Sequence, residues 1–446
     1  MNPMLNENLD RDRRLFLKAG LIAAASPLVA TDCVSHGLQA DETGELAAQS
    51  GSEKLRIGIM GVNGRGGALA KTVLSTEKAT VAHVCDVDQQ IMRSASRSIG
   101  QLQGSEPQQH TDIRKMLEAQ DLDAVFVAAP NHWHAPATIM ACEAGKHVYV
   151  EKPCSHNPAE GEWAVQAARK HERVVQTGTQ RRSWGALVEG MERVHSGEIG
   201  EVLYARCWYN NRRPSIGSEM VVDAPASLNW DLWQGPAPRR DYRTNYAPYN
   251  WHWFWAWGNG EVGNNGVHGI DLARWGMQLK YPSRVTATGG KVRFDDDQET
   301  PDTLTVGFEF EDGRSVTWQG LSWSPLGEHD TSFGVSFHGT EGTMVMRSTG
   351  YTLFDMQRKL LDNREGKADD RAHVENFFAC IRTGERPAAD VQIGHESALL
   401  CHLANISFQE RKVLAIDPTN GHIVDSKLQR KHWERQYETG WRPRLT

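Results

Sequence analysis

Gly61, Asn63 and Gly66 stand at the spacing Gly-x-Gly-x-x-Gly, with Asn in the middle place, and Asp86 follows 20 residues after Gly66. Glycine at 61 permits a tight turn, and glycine at 66 lets a following helix pack close to the preceding strand. Asn at 63 tolerates left-handed backbone angles better than most residues. The free N–H groups of the helix start, in the turn that also holds Gly64 and Arg65, would face a pyrophosphate. A carboxylate at 86 would accept hydrogen bonds from both ribose hydroxyls and repel a 2′-phosphate, so NAD is favoured over NADP. A second set of chemically able residues lies further on: Pro130, Asn131, His132, His134, Glu151, Lys152, Gln180 and Arg181. Two histidines without a third ligand nearby are weak evidence for a metal, and no metal site is expected. Seven cysteines are scattered, with no Cys-x-x-Cys pair, so buried free thiols are expected.

The elements that must position these residues alternate. Strands are expected at 55–60, 79–88, 122–130, 147–150 and 173–180. Helices are expected at 68–77 and 135–144, with residues 131–134 as a loop beside the nicotinamide. This order implies a doubly wound parallel sheet, whose ligands collect at the carboxyl ends of the strands. After about residue 180 the pattern becomes period-two. Residues 201–209, 284–292, 303–310, 334–339 and 343–348 alternate, and Asp312-Gly313 makes a hairpin turn. A large, mostly antiparallel open sheet follows, with helices at 373–384 and 394–409. Of 15 Trp, six fall between residues 230 and 257. They serve either as buried packing or, for one or two such as Trp251, as a stacking surface for a sugar ring, with the indole N–H free for a hydroxyl.

The turn Glu151-Lys152-Pro153 after a strand, Pro130-Asn131-His132-Trp133-His134, and Asn264-x-Gly266-x-His268 together resemble the glucose–fructose oxidoreductase / inositol dehydrogenase (Gfo/Idh/MocA) family. The resemblance covers most of the chain, including residues 373–390. It implies a Rossmann domain, an α/β domain whose open sheet covers the nicotinamide, and oxidation of a sugar or polyol. It also implies that Lys152 is the active-site lysine and that Asn264 stands where the family often has Asp. Asp271 and Trp275 would orient that segment. The chemistry stands beside the resemblance. Hydride loss from a carbinol carbon leaves an oxygen that must lose its proton. His268, with an ordinary pKa of ~6.5, is the expected base. Lys152 would stabilise the developing negative charge. Asn264 orients substrate but takes no proton. Glu151, Lys152, Asn131 and His134 border the cofactor; Lys152, Gln180, Arg181, Trp251, Asn264 and His268 meet the substrate.

Arg13-Arg14-Leu15-Phe16-Leu17-Lys18, followed by a short apolar run, resembles a twin-arginine export signal, with Asp12 in an unusual place. The expected division is a signal at 1–40, a linker at 41–53, a nucleotide domain at 54–178 and a substrate domain at 179–446. A periplasmic protein handled by the twin-arginine export machinery follows, with no stable membrane insertion after cleavage. Four basic and four acidic residues leave with the signal, so the net charge stays at −7. That charge argues against a nucleic-acid partner. A small-molecule sugar or polyol is the expected partner, and a homo-oligomer is compatible with an exposed sheet face. The leading expectation is a sugar or polyol dehydrogenase with tightly bound NAD. A redox-neutral glycoside-cleaving or epimerising enzyme and a non-catalytic NAD- and sugar-binding protein are the alternatives.

Overall fold

The computed structural model describes residues 54–445. The twin-arginine segment and Cys33 lie outside the described residues. Six strands form the first sheet: β1 (Leu55–Met60), β2 (Ala79–Cys85), β3 (Gln108–His110), β4 (Ala124–Val127), β5 (His147–Val150) and β6 (Val175–Thr177). Their order is β3-β2-β1-β4-β5-β6, and each registered pair is parallel. Strand order reverses between β1 and β4, which opens a crevice at their carboxyl ends. β4 reads Ala-Val-Phe-Val and is buried throughout, as a strand covered on both faces must be.

β4 and β6 are shorter than the sequence pattern predicts. The larger difference is at residues 131–134, which are not a loop. The helix runs Asn131–Glu143, and Pro130 caps it. The Trp133 N–H donates to the Pro130 carbonyl at 2.9 Å, closing the first turn. Pro136 inside the helix removes one backbone bond, which argues locally for a later start. Burial of residues 131–139 outweighs that loss, because tertiary packing supplies most helical stability.

The second sheet holds β7 (Val202–Asn210), β8 (Arg284–Gly290), β9 (Thr303–Glu309), β10 (Ser315–Leu321), β11 (Phe333–Gly339), β12 (Gly342–Met346), β13 (Tyr351–Asp355), β14 (Leu360–Arg364) and β15 (Leu414–Ala415). Its order is β14-β13-β12-β11-β7-β10-β9-β8-β15. β10 runs parallel to β7, and the other registered pairs are antiparallel. On β9, Leu304, Val306 and Phe308 are buried while Thr305 is exposed, so one face packs and one does not. The helices Val267–Met277 and Val391–Glu410 contribute Val267, Ile270, Ala273, Leu399 and Leu403 to that packed core. Gly276 lets the first of them approach closely: a Cβ there would lie 2.4 Å from the Phe337 ring.

Residues 179–445 do not keep a core to themselves. The helix Asp370–Thr383 returns to the first sheet, where Phe377 and Phe378 pack with Phe126 and Tyr149. Among the described residues six cysteines are buried free thiols. Burial pushes their pKa values up, to about 12 for Cys142 and Cys154. No helix among the described residues is long and apolar enough to cross a membrane.

Candidate active site

The glycine turn is built as its spacing predicts. Gly61 has a φ of +78°, and a Cβ there would lie 2.8 Å from the Ala128 carbonyl oxygen. A Cβ on Gly66 would lie 1.7 Å from the Gly61 carbonyl oxygen, so only glycine lets the helix Arg65–Ser75 start where it does. Gly64 has a φ of +49° and open space before it. At the end of β2, Asp86 Oδ2 accepts from the Val62 N–H and Oδ1 from the Asp88 N–H, both at 2.9 Å. Each oxygen keeps a lone pair for a ribose hydroxyl. Burial raises the Asp86 pKa above its usual 3.8. Open space at the turn and a carboxylate with spare acceptors fit a dinucleotide.

A cleft of about 700 Å³ runs from Asp86 to Lys152 and Asn264. Of the residues assigned by sequence to the cofactor, Gly66 alone does not line it; Gly66 sits behind, against Gly61. A segment of the second half closes the Asp86 end. The Gln89 N–H donates to the Ser227 carbonyl at 3.0 Å, and the Asn229 N–H to the Val87 carbonyl at 2.9 Å. Leu228 pairs antiparallel with Asp88 between them. Pro225, Leu228, Leu232 and Trp233 thereby line the same cleft.

The catalytic end is made of side chains. Glu151 is 5% exposed and accepts from Arg65 Nε at 2.6 Å. Burial would raise its pKa, but Arg65 and Lys152 hold it below 4.5. Arg65 Nη1 also donates to Asp370 at 2.6 Å. Arg65 therefore lines the cleft with Nε and Nη1 on two carboxylates and Nη2 buried without a partner. Asn264 lies in a π-helical turn, Val262–Gly266, a rare form that is frequent at functional sites. Lys152 Nζ donates to the Asn264 carbonyl at 2.8 Å and to Asn264 Oδ1 at 2.9 Å. An ammonium has three donors, so one is left for a ligand. Burial lowers the Lys152 pKa below 10.5, and Glu151 offsets part of that.

His268 differs from the sequence expectation. It is 8% exposed, its Nδ1 is buried without a partner, and it does not belong to the cleft lining. Burial, with Lys152, Arg181 and Arg65 adding to it, holds its pKa well below 6.5. The ring is therefore neutral and a weak base near neutral pH. Arg181 is a second correction. Its guanidinium donates to the Ser348 carbonyl and lies over Phe333 at 3.9 Å and Trp184 at 4.8 Å, away from the cleft lining. Burial lowers its pKa to about 10. Gln180 does line the cleft, and its Oε1 is buried without a partner.

The other candidates divide. Asn131 lines the cleft and is aimed by its amide, which donates to Asn259 Oδ1 at 3.0 Å. His134 has both ring nitrogens against carbonyl oxygens, of Pro153 at 2.6 Å and Ala129 at 2.7 Å. His132 is fully buried against the Trp233 carbonyl. Among the described residues no group of three His, Cys, Asp or Glu could hold a metal. Trp233, Trp251, Trp253 and Trp257 are all buried, and of these Trp233 and Trp251 also line the cleft, as Trp133 does. The Trp251 indole N–H donates to the Pro248 carbonyl at 3.1 Å, so it is not free for a hydroxyl.

Asp271 and Trp275 act through Arg182, which sequence reasoning misses. Arg182 donates to Asp271 at 2.8 and 3.0 Å, Ser397 Oγ donates to it at 2.8 Å, and the guanidinium lies 5.0 Å over Trp275. This clamp fixes the helix that follows Asn264. Sequence reasoning also passes over His252, whose only signal is its place between Trp251 and Trp253.

Known proteins share this fold. The family description "Oxidoreductase family, NAD-binding Rossmann fold" matches residues 55–179, and "Oxidoreductase family, C-terminal alpha/beta domain" matches residues 209–442. A glycosyl hydrolase family 109 protein of Shewanella sp. (strain ANA-3) is 25% identical over 334 residues, covering 72% of this chain and 69% of that protein. A myo-inositol 2-dehydrogenase of Thermotoga maritima is 22% identical, covering 82% and 100%. The WlbA dehydrogenase of Bordetella pertussis, solved with NADH and UDP-GlcNAcA, superposes with a TM-score of 0.63 at 17% identity, covering 82% and 99%. With both halves of the chain matched and the glycine turn and lysine in place, the chain belongs to the Gfo/Idh/MocA family of NAD-binding oxidoreductases.

Proposed function

We propose that this chain oxidises a hydroxyl-bearing carbon of a sugar or polyol by hydride transfer to tightly held NAD, in the periplasm after twin-arginine export. The observation that carries this reading is the Lys152 amine, fixed by two bonds to Asn264 with its third position free at the end of a nucleotide-sized cleft. Bound NAD would supply the hydride acceptor. Neutral Lys152 keeps two N–H groups on Asn264 and takes the hydroxyl proton on its lone pair; the ammonium so formed then donates to the substrate oxygen as the carbonyl forms. The hydroxyl proton goes to the better base. Burial and neighbouring cations, Arg65 among them, lower both candidates, but Lys152 starts from 10.5 with Glu151 and Glu261 holding it up, while His268 starts from 6.5. Lys152 in its neutral form therefore takes the base role that the sequence gives to His268. Asn264 positions the lysine, and Asp86 favours NAD over NADP.

The test is direct. Protein purified under mild conditions should release nicotinamide nucleotide on denaturation, and adding a turnover-competent sugar should produce NADH absorbance in the protein. Lys152→Ala should abolish that signal with the nucleotide retained, and persisting turnover would sink the assignment. A second reading draws on the glycosyl hydrolase family 109 relatives. Here the oxidised carbon acidifies its neighbour, a glycosidic substituent is eliminated, and the hydride returns to the product. Deuterium uptake from solvent beside the oxidised carbon during cleavage would favour it, and its absence would remove it.

A further inference from the structure

His252 sits in the short 3₁₀ segment Asn250–Trp253 and lines the same cleft as Lys152, Gln180 and Asn264. Its Nδ1 lies 2.6 Å from the Tyr249 carbonyl oxygen. A carbonyl oxygen only accepts, so Nδ1 carries the proton of the neutral ring. The ring is stacked on the Trp251 indole, with centroids 3.6 Å apart and planes 20° apart, and the Tyr249 ring lies 4.6 Å away. The imidazole is thus held in position and in one tautomer. Its Nε2 has no hydrogen-bond partner among the described residues and is not a buried atom, on a residue that lines the cleft. Burial keeps the ring neutral, with a pKa near 3, and the cations Lys152 and Arg213 add to that effect.

Opposite in character stands Lys152, a donor. A polyol carries adjacent hydroxyls, so a cleft holding Lys152 for the reacting hydroxyl and a second, fixed acceptor is matched to a neighbouring one. We propose that His252 Nε2 accepts a hydrogen bond from a hydroxyl of the substrate and thereby selects among polyols. This rests on the reading of the cleft as a sugar or polyol site. His252 is a specificity residue here, not the base: a neutral acceptor orients a hydroxyl, and the proton chemistry stays with Lys152. A site built to bond a hydroxyl discriminates strongly against an analogue lacking it, because its polar group is then left unpaired.

The experiment uses the NAD-loaded protein with myo-inositol, glucose and their single-deoxy analogues. His252→Asn keeps a donor toward the Tyr249 carbonyl but has nothing at the Nε2 position, whereas His252→Gln reaches that position with an acceptor oxygen. The expected result is that His252→Asn lowers kcat/KM on the parent sugar by about 10- to 100-fold, mainly through KM. It should leave one deoxy analogue unaffected. His252→Gln should recover part of the loss, and bound nucleotide should stay constant. In the NADH-loaded protein, the ¹⁵N resonance of His252 Nε2 should move on adding the parent sugar and not on adding that analogue. An equal loss on all analogues, no loss on any, or an Nε2 resonance that no sugar moves would overturn the proposal. If Lys152→Ala abolishes turnover while His252→Asn changes nothing, only the His252 inference fails. If Lys152→Ala keeps turnover, the reading of the cleft fails instead.

Discussion

The two ends of the cleft are held by different means. At the Asp86 end the backbone does the work: a positive-φ glycine turn, a helix start, and main-chain bonds from residues 87–89 to 227–229. At the Lys152 end the contacts are side chains from residues 152, 180, 252 and 264, with Lys152 and Asn264 bonded to each other and His252 held by the Tyr249 carbonyl. Turn geometry is local and survives many neighbouring changes. A convergence of side chains depends on helices and strands far apart in sequence. Changes at the first end should therefore cost affinity, and changes at the second should cost turnover or stability.

The largest effect is expected behind the side-chain end. Asp271→Ala leaves Arg182 buried and unpaired; the two side chains are 1% and 8% exposed. Stability should fall by about 3–5 kcal/mol, read from urea unfolding. A loss near zero would mean that the catalytic end does not hang on this clamp. Next is Lys152→Ala, expected to cut kcat by about 10²–10³-fold with nucleotide content unchanged. Parallel loss of nucleotide and turnover would erase the distinction between the two ends. In the unaltered protein a base of lowered pKa gives its own signature. Because Lys152 must be neutral to take a proton, kcat/KM should rise about tenfold per pH unit up to a lysine pKa below 10.5, then level off. A profile set by a group near 6.5 would return the base role to a histidine.

Smaller effects belong to the backbone end. Asp86→Asn should weaken NAD binding by about 10- to 100-fold in calorimetric titration, and NADP binding by less. With its pKa raised by burial, Asp86 protonates at a higher pH than an ordinary aspartate. NAD affinity should therefore begin to fall earlier as the solution is acidified. The smallest is Asn229→Pro, which removes the N–H that bonds the Val87 carbonyl and the side-chain oxygen that accepts from the Leu232 N–H. NADH release followed by fluorescence should speed up about fivefold, in line with the loss of these hydrogen bonds. If it does not change, the 225–233 segment is not what holds the nucleotide.

The same contrast explains what could be read from the sequence. Gly61, Gly66 and Asp86 announce themselves because strand, turn, helix and acid are consecutive. β9 and β10 were legible through alternation and the Asp312-Gly313 turn. β14, reading Leu-Leu-Asp-Asn-Arg, carries no alternation because it is a mostly exposed edge with no core face to pattern. The helix at 131 was hidden by Pro136, a local signal overruled by burial. Arg182 and Asp271 are 89 residues apart, and nothing in either neighbourhood names the other. His268 was found by its motif, but its environment was not: the cations Arg65, Lys152 and Arg181 reach it from three separate segments. His252 lay in plain view among tryptophans, and only the carbonyl of Tyr249 reveals which of its nitrogens is bare.

The buried thiols give the molecule its own reporters of opening. Cys85, Cys142 and Cys154 belong to the core around the first sheet, and Cys207 and Cys401 to the core of the second. An alkylating reagent reaches each sulfur only when its surroundings part, so the rate at every site measures how often that part of the fold opens. Matching rates in the two groups would mean that the halves unfold as one body. Separate rates would rank them, and a bound nucleotide that slows only one group would mark where its binding energy is felt.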